Sequence, residues 1–325
     1  MKIGIVGCGQ VGAAIAYACV LRGVGTELVM IDKNTALAQA QAEDILHATP
    51  FACPIPVMSG DFAQLAGAGL VVIAAGAAQK PGETRLDLLK RNAEIFQTMI
   101  PQILNAAPDA ILLIASNPVD VMTQMVASIA QQTHGISSDR VIGSGTILDT
   151  ARFRALLAAH LGVSSHSVHA YVLGEHGDSE VLHWSGALVG TIPVMNFAAQ
   201  IGAAVTAQVR ESIDEGVRRA AYRIIQGKGA TWYGIGAGMA RLAQAVINDE
   251  NALITCSTPT SDVLDGEGPI SLSFPRIINA GGIARTLRPM LDLQEIEALN
   301  RSAAILAEAA AQIGVSDVKV TSRAA

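Results

Sequence analysis

The sequence is poor in aromatic and charged side chains and contains no run of basic residues. Aromatic residues make up 4% of the 325 positions, charged residues make up 15%, and the formal net charge at pH 7 is −6. Proteins that bind nucleic acids or anionic membranes usually carry clusters of Lys and Arg. We therefore expect neither nucleic acid nor a membrane among the partners of this chain. With so few aromatic residues, its core must consist mainly of Ala, Val, Ile and Leu.

Cysteine is rare, and its spacing indicates neither a disulfide framework nor a metal site. The four cysteines are Cys8, Cys19, Cys53 and Cys256. None belongs to a C-x-x-C pair, and no histidine has the spacing from Cys, Asp or Glu that is typical of metal ligands. We expect four reduced thiols in a reducing compartment, and no bound metal.

Long uninterrupted hydrophobic runs are also missing. The segments Phe62–Gln79 and Val181–Val209 lack charged residues, but glycines interrupt the first and several polar residues interrupt the second. A membrane-spanning helix needs about 20 predominantly apolar residues, so buried core explains both segments better. The first residues, Met1–Gly7, do not have the pattern of a secretory signal peptide. The sequence predicts a cytoplasmic protein.

A glycine-rich turn lies between a predicted strand and a predicted helix near the start of the chain. The segment Gly7–Gly12 reads GCGQVG, and the next apolar strand, Glu27–Ile31, is followed by Asp32. This G-x-G-x-x-G pattern, with an acid about 20 residues further on, is typical of dinucleotide binding. The acid would accept hydrogen bonds from ribose hydroxyls and repel a 2′-phosphate, which favours NAD over NADP. The expected NAD contacts in this region are Gly7, Gly9, Gln10, Val11, Gly12 and Asp32.

Short apolar strands alternate with helices up to Gly143, and this rhythm predicts an α/β fold. We expect a doubly wound (Rossmann) parallel sheet, covered by helices on both faces and ending near Gly143. Beyond Ser144 the predicted strands are shorter and more alternating, and the segment Val205–Ile225 is strongly helical. The predicted domains are an NAD-binding domain at 1–143 and an α+β catalytic domain for the substrate at 144–325.

A histidine in a polar turn is the first candidate for chemistry. His176 lies in the stretch Gly174–Glu180, and histidine has an unperturbed pKa close to working pH. Asp149 and Arg152 are three residues apart on a predicted helix and therefore share one face. A buried carboxylate could orient the histidine, and an arginine could bind a carboxylate substrate through two hydrogen bonds. A solvated loop histidine and a surface ion pair are the alternatives that the residues alone leave open.

Two loops follow predicted strands at the edge of the sheet where ligands bind in parallel α/β folds. One is Gly76–Arg85, with glycines and charged residues whose composition suits a mobile lid that brings Arg85 into the site. The other is the turn Ser116–Pro118. An ordinary exposed loop is the alternative for the first segment.

The chain resembles the lactate/malate dehydrogenase family, and within it the bacterial NAD-dependent L-lactate dehydrogenases. The matching segments are Gly7–Gly12, Gln79–Asn92, Ser116–Asp120, Gly143–Arg154, Gly174–Glu180 and Gly229–Gly234. The resemblance implies reversible hydride transfer between NADH and pyruvate to give (S)-lactate, as in glycolysis followed by pyruvate fermentation.

The resemblance also implies roles for individual residues. The implied catalytic residues are His176 as proton donor and acceptor, Asp149 as its orienting carboxylate, and Arg85 as the lid residue that polarises the reacting carbonyl. The implied substrate-binding residues are Arg152 for the carboxylate, Gln79, Asn117 and Thr231. Asn117 is also expected to contact the cofactor, and Ile235 is expected to line the pocket beside the nicotinamide.

Gln79 distinguishes the two branches of this family. Malate dehydrogenases typically have an arginine here to pair with the second carboxylate of oxaloacetate. A neutral glutamine leaves that carboxylate unpaired, so we expect pyruvate as the substrate. The alternatives are a malate dehydrogenase or another 2-hydroxy acid dehydrogenase. Two other classes are a non-catalytic NAD sensor, which would leave His176 without a role, and an NAD-dependent glycosidase, which would need a metal site.

Arg154 and His169 suggest regulation. Both resemble positions that bind fructose 1,6-bisphosphate at a subunit interface in many bacterial members of the family. Cationic groups from two symmetry-related chains would form an anion site on a twofold axis. We expect an allosteric homotetramer that the bisphosphate activates. The alternative is that Arg154 is a surface helix residue and His169 a structural residue of the sheet.

Overall fold

A single nine-stranded sheet runs through the computed structural model, which describes residues 1–77, 85–263, 268–315 and 318–320. The elements of the first half are β1 (Lys2–Val6), α1 (Gln10–Arg22), β2 (Glu27–Ile31), α2 (Thr35–Ala48), β3 (Val57–Ser59), β4 (Ala68–Ile73), α3 (Arg85–Ala106), β5 (Ile111–Ile114), α4 (Val119–His134) and β6 (Val141–Gly143). These strands are parallel and lie in the order β3-β2-β1-β4-β5-β6. The predicted doubly wound α/β fold is confirmed.

The second half contains shorter strands and more helices. Its elements are α5 (Ile147–Leu161), β7 (Val168–His169), β8 (Val172–Leu173), β9 (Val181–Leu182), β10 (Leu188–Val189), β11 (Ile192–Pro193), α6 (Val194–Ile201), α7 (Ala207–Arg218), α8 (Ala220–Lys228), α9 (Tyr233–Ile247), β12 (Ala252–Thr260), β13 (Ile270–Asn279), β14 (Gly282–Thr286) and α10 (Leu293–Gln312). Two small antiparallel sheets, β11-β10-β7 and β8-β9, accompany the large one.

Alternate residues of the parallel strands enter two separate hydrophobic cores, one on each face of the sheet. In β1, Ile3 and Ile5 join one core while Val6 joins the other, and β4 divides its side chains in the same way. A strand buried on both faces needs an apolar residue at every position, because successive side chains point to opposite sides. This requirement accounts for the continuous apolar runs that the sequence shows.

The parallel strands end with β6 at Gly143, as expected, but the large sheet itself continues beyond this point. Ser257 of β12 pairs with Gly143 of β6, and the antiparallel strands β13 and β14 extend the sheet further. Without β12, the outer edge of β6 would present unpaired main-chain N–H and C=O groups. The long hairpin formed by β12 and β13 covers this edge and pairs with it. The two halves of the chain therefore share one continuous sheet.

The segment Val205–Ile225 is largely helical, as predicted, but the backbone turns at Arg219 and divides it into α7 and α8. Asp214 accepts a hydrogen bond from Trp184 Nε1 (2.9 Å), and Arg218 donates to the carbonyl oxygen of Asp178 (2.8 Å). These tertiary hydrogen bonds attach α7 to the chain on either side of β9. Within the described parts of the chain, no helix combines the length and apolar character that crossing a membrane requires.

Candidate functional site

The glycine-rich turn between β1 and α1 depends on close packing at two of its glycines. Gly7 has a φ of +98°, and a Cβ on it would lie 2.4 Å from the main-chain nitrogen of Ala75. A Cβ on Gly12 would lie 1.8 Å from the carbonyl oxygen of Gly7. A side chain at Gly7 would collide with the backbone that follows β4, and one at Gly12 would push α1 away from the end of β1. Both glycines are therefore required by the packing of the turn itself.

Gly9 differs, because a Cβ there would meet nothing within 4 Å. It occupies the N-cap of α1, and no side chain caps that end of the helix. The first N–H groups of a helix carry partial positive charge, so an uncapped end beside open space fits a pyrophosphate. Gln10 is exposed and Val11 half-buried in the first turn of α1.

Asp32 supports the same turn from the end of β2. Its Oδ2 accepts a hydrogen bond from the Cys8 N–H (2.7 Å), and its Oδ1 accepts one from the Asn34 N–H (2.9 Å). The carboxylate is half-buried and thus still open on one side. An acid here can bind ribose hydroxyls while it holds the glycine turn in place. These residues fit NAD, as the sequence predicted.

His176, Asp149 and Arg152 are in direct contact. Asp149 lies in the first turn of α5 and is almost completely buried. Its Oδ2 is 2.5 Å from His176 Nδ1, and its Oδ1 accepts a hydrogen bond from Arg152 Nη1 (2.8 Å). One carboxylate therefore orients both the histidine and the arginine. The ring engages Asp149 through Nδ1, so Nε2 is the nitrogen that remains to face a substrate.

The surroundings of His176 favour its protonated form. Burial alone would lower the pKa of His176, but the charge and hydrogen bond of Asp149 and the charges of Asp120 and Glu180 raise it from 6.5 to about 9. The side chain is 25% exposed, so it can exchange protons with a ligand or with solvent. At neutral pH the site holds an imidazolium that can act as a proton donor.

Asp120 is a residue of this site to which the sequence analysis assigned no role. It lies in the first turn of α4 and is 2% exposed, and its Oδ2 accepts a hydrogen bond from the His176 main-chain N–H (2.7 Å). Burial raises the pKa of Asp120 to about 6, although the nearby Ser257 hydroxyl and the His176 N–H lower it. The one feature of the sequence that could have indicated a role for Asp120 is its position between Val119 and Val121, as a charged residue in an otherwise apolar first turn of the helix.

Glu180 is a second residue without an assigned role. It is 3% exposed, and its Oε1 has no hydrogen-bond partner among the described residues. Burial raises the pKa of Glu180 to about 8, and the charge of Asp149 adds to the rise, whereas Arg218 and His176 lower it. Glu180 therefore carries a proton at neutral pH for much of the time. Its sequence position, at the end of the histidine turn, gave no indication of burial.

Helix α10 supports the histidine turn from behind. Ser302 accepts a hydrogen bond from the Glu175 N–H (2.8 Å), and the Ser179 hydroxyl donates to Ser302 Oγ (3.1 Å). Gly174 exchanges two main-chain hydrogen bonds with Ser273 of β13 (2.9 and 3.0 Å). The turn is thus held at both ends, which limits the positions that the His176 ring can adopt.

The remaining predicted residues lie around this centre. Asn117 is exposed after β5, and a cis peptide bond joins it to Pro118. Thr231 and Ile235 are half-buried at the start of α9. This end of α9 packs on both halves of the site: a Cβ on Gly234 would lie 2.8 Å from Leu148 of α5, and one on Gly236 would lie 3.0 Å from Ala14 of α1.

Part of the predicted lid is not described. Gln79 lies outside the described residues, as does the rest of the segment 78–84. Arg85 is the first residue of α3, and its side chain also lies outside the description. At the near end, the N–H of Ala77 donates to Asn92 Oδ1 (2.8 Å). The loop therefore departs from the strand end beside Ser116, whose hydroxyl donates to the carbonyl oxygen of Ala75 (2.5 Å).

The two residues predicted to bind an effector are close to each other. Arg154 donates from Nε to the carbonyl oxygen of Ala170 (2.9 Å), and its guanidinium lies 4.8 Å from the ring centroid of Tyr171. His169 precedes Ala170 in the chain and is exposed on β7. Arg154 itself is half-buried, and among the described residues its guanidinium donates a hydrogen bond through Nε alone.

Comparisons with known proteins cover nearly the whole chain. The family model "lactate/malate dehydrogenase, NAD binding domain" matches residues 1–143, and "lactate/malate dehydrogenase, alpha/beta C-terminal domain" matches residues 146–314. The L-lactate dehydrogenase of Thermus aquaticus is 59% identical over 97% of this chain and 100% of its own length. The L-lactate dehydrogenase of Allorhizobium ampelinum is 55% identical over 96% and 99%. The crystal structure of a lactate dehydrogenase from a deep-sea metagenome library has a TM-score of 0.91 at 40% identity, covering 96% and 98% of the two chains.

Proposed function

The chain belongs to the lactate/malate dehydrogenase family and is an NAD-dependent oxidoreductase, and we propose that it acts as an L-lactate dehydrogenase. The reaction is the reversible reduction of pyruvate to (S)-lactate. The observation that carries this proposal is the contact of His176 and Arg152 with the same buried carboxylate, Asp149. A proton donor and a carboxylate-binding cation held side by side suit a 2-oxo acid.

Each side chain has one part in the proposed mechanism. NADH, when bound, supplies the hydride to the carbonyl carbon. Arg152 binds the carboxylate of pyruvate and places the carbonyl oxygen near His176 Nε2, which donates the proton. Asp149 holds the ring through Nδ1 and stabilises its charged form. Arg85 polarises the carbonyl from the lid, and Asn117 binds both substrate and cofactor.

The other assignments follow the same division of roles. Residues 1–143 bind NAD through Gly7, Gly9, Gln10, Val11, Gly12 and Asp32, with Asn117 and Ile235 closing the nicotinamide side. Residues 144–325 contribute the catalytic pair, His176 and Asp149, and two of the four substrate-binding residues, Arg152 and Thr231. The two domains have different roles although they share one sheet, because β12, β13 and β14 of the second domain extend the sheet of the first.

The choice of pyruvate over oxaloacetate rests on Gln79, together with relatives that are named as L-lactate dehydrogenases. The test is NADH oxidation by the purified protein with each substrate in turn. We expect higher kcat/KM on pyruvate, and Gln79→Arg should move the preference toward oxaloacetate by supplying a cation for its second carboxylate. Preference of the unaltered protein for oxaloacetate would refute the proposal and indicate a malate dehydrogenase.

We further propose that the protein is a homotetramer that fructose 1,6-bisphosphate activates through Arg154 and His169. The exposed ring of His169 and the guanidinium of Arg154 support an anion site, which two chains would complete on a twofold axis. The bisphosphate should lower the KM for pyruvate and favour the tetramer in analytical ultracentrifugation. Arg154→Gln should remove both responses, whereas Arg301→Gln, at an exposed arginine of α10, should keep them. If Arg154→Gln retains both responses, the effector site lies elsewhere.

A further inference from the structure

Asp120 is a buried carboxylate with few partners. It is 2% exposed, its Oδ2 accepts the His176 main-chain N–H (2.7 Å), and the Ser257 hydroxyl is near enough to lower its pKa, but its Oδ1 is buried without a well-formed hydrogen bond in the described parts of the chain. Burying a charged group costs free energy unless opposite charge and hydrogen bonds compensate for the lost hydration. A well-packed apolar residue at this position would avoid that cost, so the fold itself does not explain the carboxylate.

The position of Asp120 connects two parts of the site. It lies three residues after Asn117, in the first turn of α4, whereas the histidine belongs to the turn between β8 and β9. The His176 N–H is therefore tied to a helix of the first half of the chain, while the His176 ring is tied to Asp149 on α5 of the second half. A shift of either helix would change the position of the ring.

We propose that Asp120 is a positioning residue for His176, which holds the catalytic residue through its main-chain N–H and stabilises the positive charge of its ring. This inference rests on the proposed function of His176 as proton donor. Two carboxylates from two helices then act on the histidine. Asp149 of α5 contacts the ring directly, and Asp120 of α4 acts through the main-chain hydrogen bond and through its negative charge.

The other charged groups around His176 define where this effect can be measured. Asp149 and Arg152 face it from α5, Glu175 and Glu180 belong to its own turn, and Arg218 approaches Glu180 from α7. The pKa of Asp120 is about 6 and that of His176 about 9. Between these values the carboxylate is ionised while the ring is protonated, so removal of the Asp120 charge should lower the pKa of His176 and change the rate where the ring titrates, near and above about pH 8.

The decisive variant is Asp120→Asn, which keeps an oxygen that can accept the His176 N–H but removes the charge. Loss of a nearby opposite charge should lower the pKa of His176 by about one unit. With that shift, kcat/KM for the reduction of pyruvate should fall about fivefold at pH 9 and hardly change at pH 6, because the ring stays protonated there in both proteins. A merely structural role would reduce the rate equally at all pH values.

Asp120→Ala tests the hydrogen bond as well as the charge. It removes the acceptor, so we expect the same shift in the pH profile together with a further loss of kcat that is independent of pH. Glu295→Gln is the matched control, since Glu295 is also buried and accepts a main-chain N–H, from Ser185 (2.9 Å). That variant should lower stability and leave the pH profile unchanged.

A measurement without substrate separates this inference from the proposed function. NMR of protein with ¹⁵N-labelled histidine gives the pKa of His176 directly, and His176→Gln identifies its signal. A lower pKa in Asp120→Asn supports the inference even if pyruvate is not turned over. An unchanged His176 pKa in Asp120→Asn, or identical pH profiles for the Asn variant and the unaltered protein, would overturn it. So would an Asp120→Ala variant whose kcat equals that of Asp120→Asn at every pH.

Discussion

Replacement of Asp149 by Asn is the most direct test of the site. The substitution keeps the size of the side chain but removes the charge that lies 2.5 Å from His176 Nδ1 and 2.8 Å from Arg152 Nη1. An amide must also present its NH₂ group to one of these two donors, because it has only one oxygen. The variant therefore loses both the charge pairing and one oriented hydrogen bond.

The size of the effect follows from the pKa of His176. Its rise from 6.5 to about 9 corresponds to about 3 kcal/mol in favour of the protonated ring. Asp149 is the largest contributor to that rise, so without its charge the pKa should return to near 6.5. The protonated fraction at pH 7.5 would then fall from nearly all to about a tenth. Loss of ring orientation adds to this, and general-acid catalysis contributes about 10²- to 10⁴-fold in total.

The assay is stopped-flow oxidation of NADH by pyruvate between pH 5 and pH 9.5. In Asp149→Asn, kcat/KM should fall about 10²- to 10⁴-fold at pH 7.5, and its inflection should move to lower pH. Glu295→Gln is the control, because Glu295 forms a similar buried pair with His183 (3.0 Å) away from the site. An Asp149→Asn variant with the inflection of the unaltered protein would refute the assignment of Asp149 as the partner that keeps His176 charged.

Three further predictions concern the cofactor turn, the buried acid and the support of the histidine turn. Gly9→Val should keep the unfolding temperature, since a Cβ has open space there, but weaken NADH binding at least about tenfold in fluorescence titrations, whereas Gly12→Ala should lower the unfolding temperature itself. The folded pKa of Glu180, about 8, lies above the usual 4.5, so its contribution to stability is present below pH 4.5 and lost as the pH rises through 8. Glu180→Gln should therefore unfold at a higher temperature than the unaltered protein at pH 8.5 and at a similar temperature at pH 4.5, and equal temperatures at both would contradict the burial argument. Ser302→Ala leaves the partly buried Glu175 N–H without its acceptor and should cost about 1 kcal/mol in denaturant unfolding, with kcat lowered more than NADH affinity.

The nucleotide half of the molecule could be predicted because its signals are local. Gly7, Gly9, Gly12 and Asp32 lie within one strand–turn–helix–strand unit, in which close packing requires Gly7 and Gly12 and the Asp32 carboxylate accepts a hydrogen bond from the turn. The doubly wound fold followed from apolar runs that alternate with helices, since a strand buried on both faces has no position for a polar side chain. These features depend on neighbours in the chain, which a sequence displays directly.

Only part of the catalytic centre could be predicted from the sequence. His176 could be proposed from its type and its turn, but its contact with Asp149 joins residues 27 positions apart, and neither shows burial in the sequence. Asp120 and Glu180 were assigned no role, because a carboxylate on a helix or turn is ordinarily solvated; in the fold both are buried, and α4, which carries Asp120, packs on α10 and on the β12–β13 hairpin. The same hairpin extended the sheet beyond Gly143. Burial and electrostatic coupling depend on distances through space, and the tertiary structure decided them.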